Sequence, residues 1–196
     1  PVPSDKPYCV NLIDKDLILK QISEAQKQKV DIIVACMHWG TEYQTTANSE
    51  QKELADFLFN NGVDIILGNH PHVIEPMEKR TITLEDGTQK EVFVVYALGN
   101  FTADQRAEIT RDSAILNIKI TKKSNGYISI DNVNYVPIYM FKNSNAQYHK
   151  FKILDIEKTI YQYENNKAES YITSSVYNNL KIQLEKIKNI LGDEIK

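Results

Sequence analysis

Two cysteines in 196 residues are too few for a disulfide framework. Cys9 and Cys36 each lie in a short apolar run, which reads as two buried thiols packing as small hydrophobes. Apolar runs are short throughout: none approaches the roughly 20 residues that cross a bilayer. No signal-peptide pattern opens the chain, and a start at Pro1 reads as a processed or excised product. Basic residues are not in excess. The 23 Lys and Arg face 26 Asp and Glu, a formal net charge of -3, and no basic patch stands out, which argues against a nucleic-acid partner. No internal repeat or low-complexity linker is visible. What remains is a globular composition, 42% hydrophobic and 25% charged, in a chain long enough for one domain with a core.

The first third of the chain has the pattern of a parallel α/β unit. Residues 8–13 read as a short strand. Residues 14–28 read as a helix, with Leu17, Ile18, Ile22 and Ala25 at helical spacing. Residues 30–37 form a continuous apolar run rich in β-branched side chains, which fits a strand covered on both faces. Asn48 or Ser49 caps the next helix, whose buried face is Leu54, Ala55, Leu58 and Phe59, and Asn61-Gly62 ends it. Residues 63–67 are a second buried strand. Strand, helix and strand at this spacing make a right-handed βαβ crossover with parallel strands.

After residue 72 the pattern turns antiparallel. Residues 73–83, 91–97, 113–121 and 127–139 read as strands, with hairpin signals at Asp86-Gly87 and Asn125-Gly126. Residues 148–166 show no clear period. Residues 170–191 read as a terminal helix with Val176, Leu180, Leu184, Ile187 and Leu191 on one stripe and Gly192 closing it. The expected fold class is therefore mixed α/β: one βαβ unit, antiparallel strands and a C-terminal helix. The division is residues 1–145 for the main domain and 146–196 for an extension.

Histidine is scarce, 4 in all, and the placement of three is informative. His38 follows the first buried strand, in His38-Trp39-Gly40. His70 and His72 follow the second, in Gly68-Asn69-His70-Pro71-His72. Parallel sheets bind ligands beyond the carboxyl ends of their strands, and these two loops share that edge. In an extended segment His70 and His72 point to one side. Pro71 stiffens the pair, and Gly68 lets the backbone turn sharply. Three neutral imidazoles suit a first-row divalent metal and leave a position for water. Glu42, four residues past His38, is a candidate orienting group or proton acceptor. Asn100, in Leu98-Gly99-Asn100-Phe101 after a third apolar run, reaches the same edge. Trp39 reads equally as a pocket wall or a core aromatic. Glu75 and Glu78 read as structural, Cys36 stays outside the ligand set, and His149 reads as a surface residue. The plain alternative is an α/β domain whose histidines only brace loops.

Residues 38–78, from HWGTEYQ through GNHPHVIEPME, together with YALGNF at 96–101, strongly resemble the CapA-type poly-gamma-glutamate capsule synthesis family, within the calcineurin-like metallophosphoesterase superfamily. The resemblance covers roughly residues 8–139. It implies a two-sheet sandwich flanked by helices, of which this chain is the C-terminal part. It implies a divalent metal, with Zn, Mn or Fe as candidates, dinuclear in the full-length protein, with His38 and His70 on one ion and His72 on the other. The superfamily's early aspartates, asparagine and further histidine have no counterpart here. The resemblance thus implies an inactive fragment whose partners are the missing N-terminal half of the domain, a second copy, and a phosphoester or anionic polymer substrate. It implies action at the extracellular face of the envelope. Two functions remain open: a metal-dependent hydrolase with His38, Glu42 and Asn100 as its catalytic group, or a non-catalytic component of polymer assembly.

Overall fold

A computed structural model of the chain describes residues 3–105, 107–143 and 150–192. His149 lies outside the described residues. Among those residues the α/β expectation holds, with two sheets and four helices. Strands β1 (Val34–His38), β2 (Ile65–Asn69), β3 (Met77–Thr83) and β4 (Gln89–Val95) form the first sheet, in the order β1-β2-β4-β3. β1, β2 and β4 run parallel, and β3 runs antiparallel to β4. Strands β5 (Asp112–Lys122), β6 (Ile128–Lys142) and β7 (Phe151–Asp155) form an antiparallel second sheet. The helices are α1 (Lys15–Lys27), α2 (Ser49–Asn60), α3 (Ile156–Glu164) and α4 (Ser174–Leu191).

Local chemistry sets most of these boundaries. The Asp14 carboxylate accepts the Leu17 N–H at 3.0 Å and starts α1. Asn48 and Gln51 form a reciprocal capping box at the start of α2. Gly87 and Gly126, with φ of +83° and +84°, make the two hairpin turns. The period of two along β4 then sorts the core. Val92, Val94 and Tyr96 join Ile22, Leu58 and Phe59 on the side of α1 and α2. Phe93 and Val95 join Ile130 and Val133 of the second sheet, together with Leu180, Ile187 and Leu191 of α4. Residues after 150 thus share a core with the first sheet. No helix among the described residues is long and apolar enough to cross a membrane.

Three sequence expectations are corrected. Residues 8–13 are not a strand. A 3-10 turn, Pro7–Cys9, occupies its start, and Tyr8, Val10, Leu12 and Ile13 are exposed. An apolar run becomes a strand only where a neighbour takes its backbone hydrogen bonds, and none does so here among the described residues. The run 30–37 becomes a strand only from Val34, and it is not covered on both faces. β1 is the edge of its sheet: Ala35 and Met37 lean toward the α2 side, whereas Val34, Cys36 and His38 are exposed. Both cysteines are exposed rather than buried for the same reasons. The unpatterned stretch resolves into β7 and α3, with Asp155 capping the helix through the Lys158 N–H at 2.9 Å.

Candidate functional site

The edge where β1 and β2 end carries the histidines. The two strands pair in register, with Met37 opposite Gly68 and His38 opposite Asn69. The Trp39 N–H donates to the Asn69 carbonyl at 3.0 Å, and the Tyr43 N–H donates to the Pro71 carbonyl at 2.8 Å. These bonds continue the ladder past the strands and hold the two loops side by side.

Gly68 and Trp39 depend on each other. A Cβ on Gly68 would fall on the Tyr96 carbonyl oxygen and 2.5 Å from the Trp39 indole nitrogen. The glycine is therefore required by close approach rather than by a sharp turn, since its φ is not in the left-handed region. Trp39 is 5% exposed, and its indole N–H donates to the Tyr96 carbonyl at 2.9 Å. It serves both readings of the sequence, because it belongs to the core and also lines a cavity of about 520 Å³. Ile13, Lys15, Gln51, His38 and His70 line the same cavity.

The three rings gather at this edge. His38 and His70 have ring centroids 4.5 Å apart, and His70 and His72 are 6.2 Å apart. The expected extended segment is absent: His70 has φ of +114° and His72 of +62°, conformations that L residues rarely adopt. The loop aims its rings through left-handed backbone, not through strand alternation. Tyr43, itself at φ +65°, stacks against His72 with centroids 6.2 Å apart.

Asn100 reaches the same edge, lifted by the turn at Gly99, where φ is +75°. Its amide nitrogen donates to the Thr110 carbonyl at 3.1 Å and to Gln105 Oε1 at 3.2 Å. Its Oδ1 lies 3.0 Å from His72 Nδ1. With the amide so oriented, Oδ1 can only accept. The proton therefore sits on His72 Nδ1, and the Nε2 lone pair is free to ligate. Partial desolvation lowers the pKa of His38, and its neighbours His70 and His72 lower it further. The neutral, ligating form of His38 is thus favoured.

Glu42 is exposed, and its carboxylate makes no hydrogen bond or ion pair among the described residues. Glu78 lies 3.6 Å from the Arg80 guanidinium on β3. Glu75 is fully buried and bonded to Gln51. Gln51 and Tyr43 are neighbours of the site that sequence reading passed over. The only signal for Gln51 was its position in a helix cap.

The donor types suit a divalent metal: two imidazoles in near contact, and a third whose tautomer is fixed by an amide. Among the described residues no group of three His, Cys, Asp or Glu side chains stands in metal-holding geometry. The carboxylate that would offset a second cation's repulsion is not among these neighbours.

The family model of the bacterial capsule synthesis protein PGA_cap matches residues 1–105, which include β1, β2 and the three histidines, and the chain belongs to that family. Among curated relatives, it is 39% identical over 117 residues to the PGA biosynthesis protein CapA of Bacillus subtilis (strain 168), a match covering 60% of this chain and 28% of that protein. It is 35% identical over 122 residues to the capsule biosynthesis protein CapA of Bacillus anthracis, covering 61% of this chain and 27% of that one. The aligned region is thus well under half the length of either relative.

Proposed function

We propose that this chain takes part in the biosynthesis or export of a capsule polymer of the poly-gamma-glutamate type, and that its histidine edge contributes to a metallophosphoesterase-like metal centre. The convergence of His38, His70 and His72 on one sheet edge supports this reading. His38 and His70 would hold one ion, and His72, oriented by Asn100, would face another; remaining ligands would come from outside these 196 residues. Such a metal, Zn, Mn or Fe, would lower the pKa of bound water and polarise a phosphoryl oxygen. The protein's own part is to favour neutral His38, to aim the three imidazoles, and to offer a largely apolar wall at Ile13, Trp39 and Leu54.

The same reading includes association. Among the described residues β1 has one unpaired edge, and Tyr8, Val10, Leu12 and Val34 are exposed beside or before it in the chain. Edge strands of this kind recruit a further strand. We propose that the strand comes from the part of a CapA-type protein beyond the aligned region, with pairing to a second copy as the competing outcome.

Metal analysis of the full-length protein and of its His38→Ala and His70→Ala variants tests the site. Bound divalent metal in the wild type and its loss in both variants is expected. Equal metal content in all three overturns the shared centre. Metal loss with polymer production intact would move the reading from hydrolase to assembly component.

A further inference from the structure

We propose that Glu75, acting through Gln51, is a positioning residue that sets the aim of His38 and His70. Only the metal-affinity arm of its test rests on the function proposed above.

Gln51 is held at both ends of its amide. It is the third residue of α2, and its backbone N–H donates to Asn48 Oδ1 at 2.9 Å. The Asn48 N–H donates back to Gln51 Oε1, also at 2.9 Å. With Oε1 committed, Nε2 must point the other way, and it donates to Glu75 Oε2 at 2.6 Å. A flipped amide would set N–H against N–H at Asn48 and oxygen against oxygen at Glu75. The Asn48 N–H and the Glu75 carboxyl together fix which way this amide lies, and Glu75 alone holds its nitrogen end.

The amide in turn supports the histidine turn. A Cβ on Gly40 would sit 2.8 Å from Gln51 Nε2 and 2.9 Å from Cδ. The backbone of Gly40, at φ +91° and two residues past His38, rests directly on the amide plane. Gln51 also lines the cavity shared by His38 and His70.

Glu75 touches the other two loops as well. It lies three residues after His72 on the same segment. Its N–H donates to the Ala97 carbonyl at 3.0 Å, three residues before Asn100. Glu75 thus meets the turn after β1 through its side chain and the segment before the turn after β4 through its backbone, and it follows the loop after β2 in the chain.

Its chemistry is unfavourable for packing alone. Glu75 is 0% exposed, and Oε1 has no hydrogen-bond partner among the described residues. Burial raises its pKa, partly offset by the Gln51 bond. An apolar residue of the same size would avoid this desolvation. What an apolar residue cannot do is accept from Gln51 Nε2.

The experiment uses the 196-residue chain with Glu75→Met, which keeps volume and removes the acceptor, and Glu75→Gln, whose amide oxygen still accepts. Ring resonances of His38 and His70 are read by NMR at fixed pH, well below the unfolding temperature, and affinity is read with Co²⁺ alone. In Glu75→Met both sets of resonances are expected to move and Co²⁺ binding to weaken by roughly 10-fold or more. Glu75→Gln is expected to keep the wild-type resonances and to bind within about threefold of wild type. A folded Glu75→Met with wild-type resonances and affinity overturns the proposal. Should Glu75→Met not fold, Gln51→Met removes the same bond from the other side and must shift the same resonances; unchanged resonances there overturn it equally. If the wild-type chain takes up no Co²⁺, the ring resonances alone decide the role of Glu75, and the metal-centre reading is decided separately by the metal content of the full-length protein.

Discussion

The Trp39 indole N–H and the Tyr96 carbonyl are joined by a buried hydrogen bond of 2.9 Å across 57 residues of sequence. It ties the turn after β1 to the end of β4 and passes directly over Gly68. Replacing Trp39 by Phe leaves that carbonyl without its donor in a dry site. The expected loss of stability is about 1–3 kcal/mol, measured by urea unfolding. Gly68→Ala drives a methyl group into the same carbonyl, so it should be at least as damaging. A Gly68→Ala protein as stable as wild type would show that the three groups are not packed as described.

Asp112 makes stability depend on pH. It is 5% exposed, its Oδ1 has no hydrogen-bond partner among the described residues, and burial pushes its pKa up to about 7, opposed by Lys186 and reinforced by Glu108. Between the ordinary value of 3.8 and about 7 the folded state holds more protons at this site than the unfolded state. Its contribution to stability is therefore present at low pH and lost as pH rises through that window. Asp112→Asn removes the ionisation. Relative to wild type it should gain on the order of 1–3 kcal/mol between pH 5 and pH 8. Paired denaturant titrations at the two pH values check this; an equal difference at both would refute it.

Cys9 and Cys36 should both react under native conditions, since both are exposed. A thiol reagent is expected to titrate two groups per chain without denaturant. Association along the free edge of β1 would shield Cys36 and spare Cys9, so the titre would drop toward one. Reaction only after unfolding would restore the buried-thiol reading of the sequence.

Where a residue's role is decided by near neighbours, the sequence was informative. Asn48 and Gln51 stand three apart and announce the start of α2, and the crossover between β1 and β2 follows from two apolar runs and one amphipathic helix. Coverage was not legible. The run containing Val34 and Cys36 has the same composition as a central strand, but burial depends on what lies over it, and β1 is at the edge. The left-handed backbone at His70 and His72 left no trace either, because such conformations favour glycine and proline drew attention instead. Glu75 looked like an ordinary polar position on a strand. Its partner lies 24 residues away, and only the fold brings Gln51 to it.

The backbone at His70 and His72 has a practical meaning for any attempt to improve this protein. At both positions glycine would relax the chain, by roughly 1 kcal/mol or more each. A screen that rewards heat resistance alone would therefore drift toward erasing the imidazoles. Variants recovered that way would be sturdier and chemically blank, and comparing them with their parent would separate what the loop contributes to folding from what it is shaped to do.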